Sequence, residues 1–251
     1  MSSQPNLSSQ PNLSGHRVIV PGGTGAVGEG VVRRYLAAGA EVVVPTRTLE
    51  RAAEFRRVLG PAATSHLHLT VHDYTTFAGA EDLAAQTEAR LGGVDDVVAP
   101  IGGFWAGRPL WEVTEADWQA AFVQLATTHL AVLRACLPRL SQGGAYLVVM
   151  GDAAFTPVPG SGLVSMEQAA VAMMQQVAAA ELDGRQRVFG LVLGPVRTRA
   201  TGDAGPDWVT AGQVGAVAVA ASAATAVAGQ RLQLLSQSEA GQALALLGAA
   251  A

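Results

Sequence analysis

Residues 18–30 read VIVPGGTGAVGEG, an apolar β-type run that breaks into glycines and passes at once into VVRRYLAAGAEVVV, whose apolar spacing is that of a helix. Strand, glycine turn and helix in that order commit the chain to a βαβ beginning. Glycines at Gly22, Gly25 and Gly28 suit a turn that must be sharp, approach a pyrophosphate closely and let the helix pack on the strand. The helix start then offers free N–H groups and the positive end of its dipole. Glycine turns are common, and the placement between strand and helix is what points to a nucleotide rather than a plain turn.

The alternation continues along the chain. Strand-like runs at 41–45, 66–71, 94–99, 146–150, 188–193 and 231–235 alternate with helical patterns at 49–59, 78–91, 114–138, 165–182 and 213–227. Gly92 and Gly93 close one helix, and Thr114 opens the next with Asp117 in its first turn. This order predicts one α/β domain over 15–236, a Rossmann-type doubly wound parallel sheet of about seven strands with helices on both faces. The duplicated SSQPNL at 2–7 and 8–13 is polar and broken by proline, so 1–14 reads as a disordered tail and 237–251 as a C-terminal extension.

Composition removes several function classes. A net charge of −4 with 14% charged residues leaves no basic field for nucleic acid. The lone Cys136, within LAVLRACLPRL, reads as a buried structural thiol and fits a reducing cytoplasm. No basic segment leads into a continuous apolar run, so no signal peptide is expected. The stretch 213–229 is rich in alanine and glycine, short for a span, and reads as a buried helix rather than a membrane segment. No spacing of histidine, cysteine and acids suggests a metal.

Further residues are more specific than the loop alone. Asp73 follows the third strand, RLGGVDDVV carries Asp95 into the fourth, and Gly194, Pro195, Val196 and Thr198 form a PGxVxT-like element with Leu193 in place of the first proline. From about residue 16 to 235 the chain resembles the short-chain dehydrogenase/reductase family. The resemblance implies a dinucleotide held by Gly22, Thr24, Gly25, Val27 and Gly28, with Asp73 at the adenine and Gly102 kept from an NNAG element that here reads Ala99-Pro100-Ile101-Gly102. It implies Pro195, Val196 and Thr198 at the nicotinamide end, with Thr198 on the carboxamide, and Gln168 at the ribose. It also implies a homodimer or homotetramer through the helices at 114–140 and 165–182, where Met166, Met173 and Met174 suit close packing, or else a mixed oligomer with an active partner. The end of the second strand offers Thr46 and Arg47 and no acid, which favours NADP(H) over NAD(H).

The family's catalytic positions are replaced. Matched through the following AAV, its YxxxK element is Val164-Ser165-Met166-Glu167-Gln168, its serine position is Gly151, and its asparagine position is Gln124. The chain contains no lysine. An alkoxide formed by hydride addition needs a proton or strong hydrogen bonds, and a positioned acid contributes roughly 10²- to 10⁴-fold. Valine supplies neither, so ordinary carbonyl reduction by the family route is not expected.

Substitute groups each carry a plain reading beside the functional one. Asp152 is either an acid or base beside the missing serine or a turn aspartate capping N–H groups. Ser161 and Ser165 either donate to substrate or serve as helix caps. His129 points away from Gln124 and reads as packed rather than catalytic. Arg197 and Arg199 either attract anions or sit in a solvated loop, and Phe104, Trp105 and Trp111 either wall a cleft or cover the core. Between 198 and 208 the family's helical lid is expected to be reduced. Two functions follow: a divergent NADP(H) oxidoreductase using Asp152, a serine or water, or a noncatalytic nucleotide-binding sensor or partner subunit.

Overall fold

The computed structural model describes residues 11–202 and 204–249. Nine strands and eight α-helices alternate among them. β1 (Arg17–Ile19) leads to α1 (Ala26–Ala37), β2 (Glu41–Thr46) to α2 (Leu49–Leu59), and β3 (Leu67–Val71) to α3 (Phe77–Leu91). After β4 (Val94–Ala99), a long helix comprises α4 (Glu115–Trp118), a π-helical stretch (Gln119–Val123) and α5 (Gln124–Cys136). β5 (Leu140–Gly151), α6 (Gly162–Leu182) and β6 (Arg187–Leu193) follow, then the short β7 (Val196–Arg197) and β8 (Val209–Thr210), α7 (Ala211–Ala223), β9 (Arg231–Leu234) and α8 (Gln237–Gly248).

Seven strands form one sheet in the order β3-β2-β1-β4-β5-β6-β9, every neighbouring pair parallel. The order reverses direction between β1 and β4, which places the topological switch point beside the glycine turn. Strands this apolar are buried on both faces: β6 is buried at every position. One core layer joins the sheet to α1, α7 and α8, the other to α3, α5 and α6.

Caps explain most boundaries. Thr48 accepts from Arg51 N–H, Thr76 from Gly79 N–H, and Thr114 forms a reciprocal capping box with Asp117. Gly92 ends α3 in the left-handed region at φ 78°. A Cβ on Gly215 would stand 2.5 Å from Gly30 O, so glycine on each helix lets α1 and α7 meet backbone to backbone. Buried Arg187 points its guanidinium at the carbonyls of Ala221, Ser222 and Ala224 at the end of α7, the negative pole of that helix.

Several expected boundaries move. Residues 1–10 of the expected tail lie outside the described residues, whereas Leu13 is buried in the core and donates its N–H to Ala38 O. The segment read as an extension folds as α8 and buries Ala240, Ala243 and Leu247 against the same core. α6 starts at Gly162, not Ser165, and α7 spans 13 residues from Ala211, so the membrane-like stretch is a core helix. The helical segment Glu115–Arg139 is long and apolar enough to span a bilayer by composition, and it packs against α3 and α6.

The start of the domain is tied down by charge. Arg17 grips Asp95 with Nε at 2.7 Å from Oδ2 and Nη2 at 2.7 Å from Oδ1, and Ser141 donates to Oδ1 at 2.8 Å. Burial alone would raise the Asp95 carboxyl, but Arg17 and Ser141 outweigh it and bring it from 3.8 to about 2. A depressed carboxyl stabilises the fold above its unfolded value, by about 2 kcal/mol, and that stabilisation disappears as pH falls through the folded value. Asp95→Asn should therefore lower the urea midpoint clearly at pH about 7, with the gap to wild type closing as pH approaches about 2. A gap that stays constant over that range would show that the pair contributes no linkage.

Candidate functional site

A cleft opens at the C-terminal ends of the strands, lined by Gly22, Thr24 and Gly25 from the glycine turn, by Thr46 at the end of β2 with Arg47 and Arg51 beyond it, and by Tyr74 and Thr75 after β3. Its other end is lined by Pro100, Ile101 and Gly102 after β4 and by Gln124, Leu125 and Thr128 on α5. It straddles the switch point between β1 and β4, where such sheets bind ligands.

The turn is built as a cradle. Gly22 has φ 84°, and a Cβ there would stand 2.5 Å from Pro100 O. A Cβ on Gly28 would collide with Gly22 O. Gly25 occupies the N-cap of α1 without any side-chain cap, so the first-turn N–H groups at Ala26 and Val27 face outward unclaimed by a capping side chain. Arg47 and Arg51, one helical turn apart, are both exposed at the far end of this cleft. An open cradle of N–H groups with two guanidiniums beyond it fits a dinucleotide.

Other expected ligands are placed differently. Asp73 spends one carboxylate oxygen on Thr75, accepting from its N–H at 2.9 Å and its hydroxyl at 2.6 Å, and Tyr74 and Thr75 line the cleft in its stead. Burial pushes the Tyr74 hydroxyl above its usual range. The Thr198 hydroxyl lies 2.8 Å from that of Thr201, and Thr198 lines a second hollow between α1 and α7 together with Arg33, Arg34, Arg197 and Arg199. Val196 pairs with Val209 in the small second sheet, Pro195 is exposed, and the described residues between 198 and 208 form no helix.

Of the four positions matched to the family's catalytic residues, Gln124 lines the cleft, while Gly151, Val164 and Gln168 lie one strand further along, on β5 and α6. Gly151 ends β5, and a Cβ there would have only Gln168 Oε1 at 3.7 Å and Ala153 N at 3.9 Å as near neighbours. Val164 stands half-buried in the first turn of α6. Gln124 lies where the π-helical stretch rejoins α5, and its carbonyl accepts the Thr128 hydroxyl at 2.7 Å. Gln168 is fully engaged at its oxygen, which accepts from Gly151 N–H at 2.5 Å, while its Nε2 donates to Glu167 Oε2 at 2.5 Å. Gln168, expected at the ribose, bridges the β5 end to α6 and does not line the cleft.

Substitute groups resolve similarly. The Asp152 carboxylate caps nothing: the turn is closed by its backbone carbonyl, which accepts from Phe155 and Thr156. Ser161 holds the N-cap position of α6 without a capping bond, and the Ser165 hydroxyl is buried without a partner. Phe104 and Trp111 are 88% and 85% exposed and so do not cover the core, while Trp105 donates to Asp117 at 3.1 Å. Cys136 is buried, and its thiol is pushed up to about 12, as expected of a structural cysteine.

Two buried groups escaped the sequence reading as a pair. His129 on α5 and Glu167 on α6 are both fully buried, with Nε2 of the histidine 3.7 Å from Oε1 of the glutamate and 3.1 Å from Ile101 O. Burial pushes Glu167 up to about 7 and His129 down to about 4, so near neutrality the histidine is uncharged. The signal available was a lone acid in the apolar first half of α6, LVSMEQAAVAMM.

Comparison with known proteins agrees with this geometry. Residues 23–242 match the family model described as enoyl-(acyl carrier protein) reductase. The chain is 27% identical over 192 residues to cis-2,3-dihydrobiphenyl-2,3-diol dehydrogenase of Paraburkholderia xenovorans, covering 74% of this chain and 68% of that one. A short-chain dehydrogenase from Burkholderia cenocepacia, solved in complex with NADP, superposes with a TM-score of 0.78 at 22% identity, over 89% of this chain and 98% of that one. A short-chain oxidoreductase from Pseudomonas aeruginosa PAO1, described as containing an atypical catalytic center, gives a TM-score of 0.76 at 20% identity, over 89% and 97%. With the sheet order and the cleft at its switch point, these matches make the chain a member of the short-chain dehydrogenase/reductase family of oxidoreductases.

Proposed function

We infer that the chain is an NADP(H)-dependent oxidoreductase whose hydride acceptor needs little proton donation from the protein. The observation that carries the cofactor preference is the pair Arg47 and Arg51 at the end of the cleft that the glycine cradle opens, with no acid among its lining residues. A bound dinucleotide would supply the hydride. Gly22, Thr24 and Gly25 would hold its pyrophosphate, the two arginines the 2′-phosphate, and Gly102 and Gln124 would flank the reacting end.

At that end the chain offers no side-chain acid where the family places its tyrosine. Val164 cannot donate, and Gln168 is spent on Gly151 and Glu167. Acceptors whose product anion is delocalised, or protonated by water, suit such a site better than simple ketones. Asp152, half-buried and with no hydrogen bond or ion pair on its carboxylate among the described residues, is the protein group closest in sequence to the replaced serine position. Exposed Leu130, Met166, Met173 and Val177 on α5 and α6 support a homo-oligomer through that helix pair, and the lone buried thiol suits a cytoplasmic protein.

Calorimetric titration tests the cofactor assignment. NADPH should bind more tightly than NADH, and Arg47→Ala should weaken NADPH by about tenfold while leaving NADH nearly unchanged. Equal loss for both nucleotides would remove Arg47 from the 2′-phosphate. Stopped-flow oxidation of NADPH over a carbonyl and enone panel, with Asp152→Ala alongside, tests the reaction: binding without oxidation of any acceptor would leave a nucleotide sensor in its place.

A further inference from the structure

Hydride transfer changes the charge of the nicotinamide ring, because the oxidised ring is a cation and the reduced ring is neutral. One ionisable group close to the replaced catalytic positions is Glu167. Its side chain adjoins Gln168 in sequence, and Gln168 Nε2 donates to its Oε2 at 2.5 Å. Through Gln168 it is linked to Gly151 N–H at the end of β5, and through His129 to the carbonyl of Ile101, which lines the cleft. Glu167 thus stands one layer behind the cleft wall, fully buried, with no hydrogen-bond partner for Oε1 among the described residues.

A charge in that position is screened by little. The helix α6 packs against α5, the π-helical stretch, β5, β6 and the turn at Asp152. The titratable groups these elements carry are the neutral His129 on α5, 3.7 Å from Glu167, Arg134 on the same helix, turned to Glu81 of α3, Tyr146 on β5, which neighbours Cys136 of α5, and Asp152 in the turn after β5. The π-helical stretch QAAFV has no titratable group, and the one on β6, Arg187, is spent on backbone carbonyls at the opposite end of the sheet. No guanidinium pairs with Glu167 among the described residues. An ionised Glu167 would therefore lack a cation until one arrives in the cleft.

We propose that Glu167 is a charge-compensating group for the oxidised nicotinamide: it gives up its proton to solvent when the oxidised cofactor binds and keeps it beside the reduced one. No covalent bond other than the carboxyl O–H is involved. Glu167 acts across Gln168 and the cleft wall and is a positioning residue, not a catalytic one. The burial that pushes Glu167 up to about 7 puts the exchange within the physiological range. Across a single layer of side chains, two unit charges at an effective dielectric of about 20 interact strongly enough to shift a binding constant severalfold, up to roughly tenfold. This inference rests on the cofactor assignment above.

The experiment is calorimetry of wild type with NADP⁺ and with NADPH, in buffers of different ionisation enthalpy, from pH about 6 to about 8.5. Release of a fraction of a proton is expected with NADP⁺ in excess of that with NADPH, together with a gain in NADP⁺ affinity relative to NADPH of up to roughly tenfold across that range. The 2′-phosphate titrates nearby but is common to both nucleotides, so the difference isolates the ring. E167Q should abolish the difference while binding both nucleotides. If E167Q fails to fold, infrared difference spectra of wild type give the second readout: NADP⁺ should remove a protonated carboxyl C=O band and NADPH should not. Equal proton release with both nucleotides, or a difference that survives in E167Q, overturns the proposal while leaving the cofactor assignment standing. No binding of either nucleotide overturns both.

Discussion

Gly28→Ala is expected to lose NADPH binding beyond detection and about 3 kcal/mol of stability, although it adds a single methyl group. The added Cβ would collide with the carbonyl oxygen of Gly22 and stand 2.7 Å from Gly23 Cα. Both neighbours are backbone, so no side chain can swing away. Relief requires moving the turn off α1, and that separates the N–H cradle from the cleft it serves. Gly102→Ala is the control, since a Cβ there meets nothing within 4 Å while the residue lines the same cleft. Urea denaturation and calorimetry check both. A Gly28→Ala protein with unchanged midpoint and NADPH affinity would show that the close approach of turn and helix is not required.

The fold was legible where the signal was periodic or steric. The glycines of the turn sit where a Cβ has no room, and the alternation of apolar strands with amphipathic helices has one economical solution, a parallel sheet covered on both faces. α8 was not legible because QSEAGQALALLG is small, polar and weakly patterned, and only its docking against the first core layer shows which face is buried. Leu13 was hidden in a repeat whose composition reads as disorder. For the candidate site residues the sequence offers positions along the chain but no orientation. Asp73 and Thr198 occupy the expected points in the chain, yet each side chain is engaged with a neighbouring threonine. Arg51, Tyr74 and Thr128 line the cleft through the turn of a helix or the exit of a strand, a geometry that sequence spacing near Arg47 and Gln124 only hints at. The Glu167 and His129 pair was out of reach, because nothing in the sequence says which faces of two long helices meet.

Placing an acid at the positions matched to the family's catalytic residues should produce a gain in function. Val164→Tyr, Gly151→Ser and Gln168→Lys together are expected to raise NADPH-dependent reduction of an activated aldehyde by about 10²-fold, the lower end of what a positioned acid contributes. Val164 is half-buried in the first turn of α6, which leaves room for a larger ring, and a serine at 151 has open space with its nearest neighbour at 3.7 Å. The limit on the gain is Glu167. A lysine at 168 would lie against a carboxyl that now accepts from the Gln168 amide at 2.5 Å, and the two would form a buried ion pair. That pairing cancels the positive charge needed to lower the pKa of the new tyrosine. Adding Glu167→Ala should therefore lift the rate by about a further tenfold, at a stability cost of about 2 kcal/mol for the cavity. The rates are read from NADPH absorbance, with NADPH affinity measured in parallel. If the variants bind NADPH as wild type does and reduce no faster, the replaced positions do not limit the reaction and proton supply comes from elsewhere in the site.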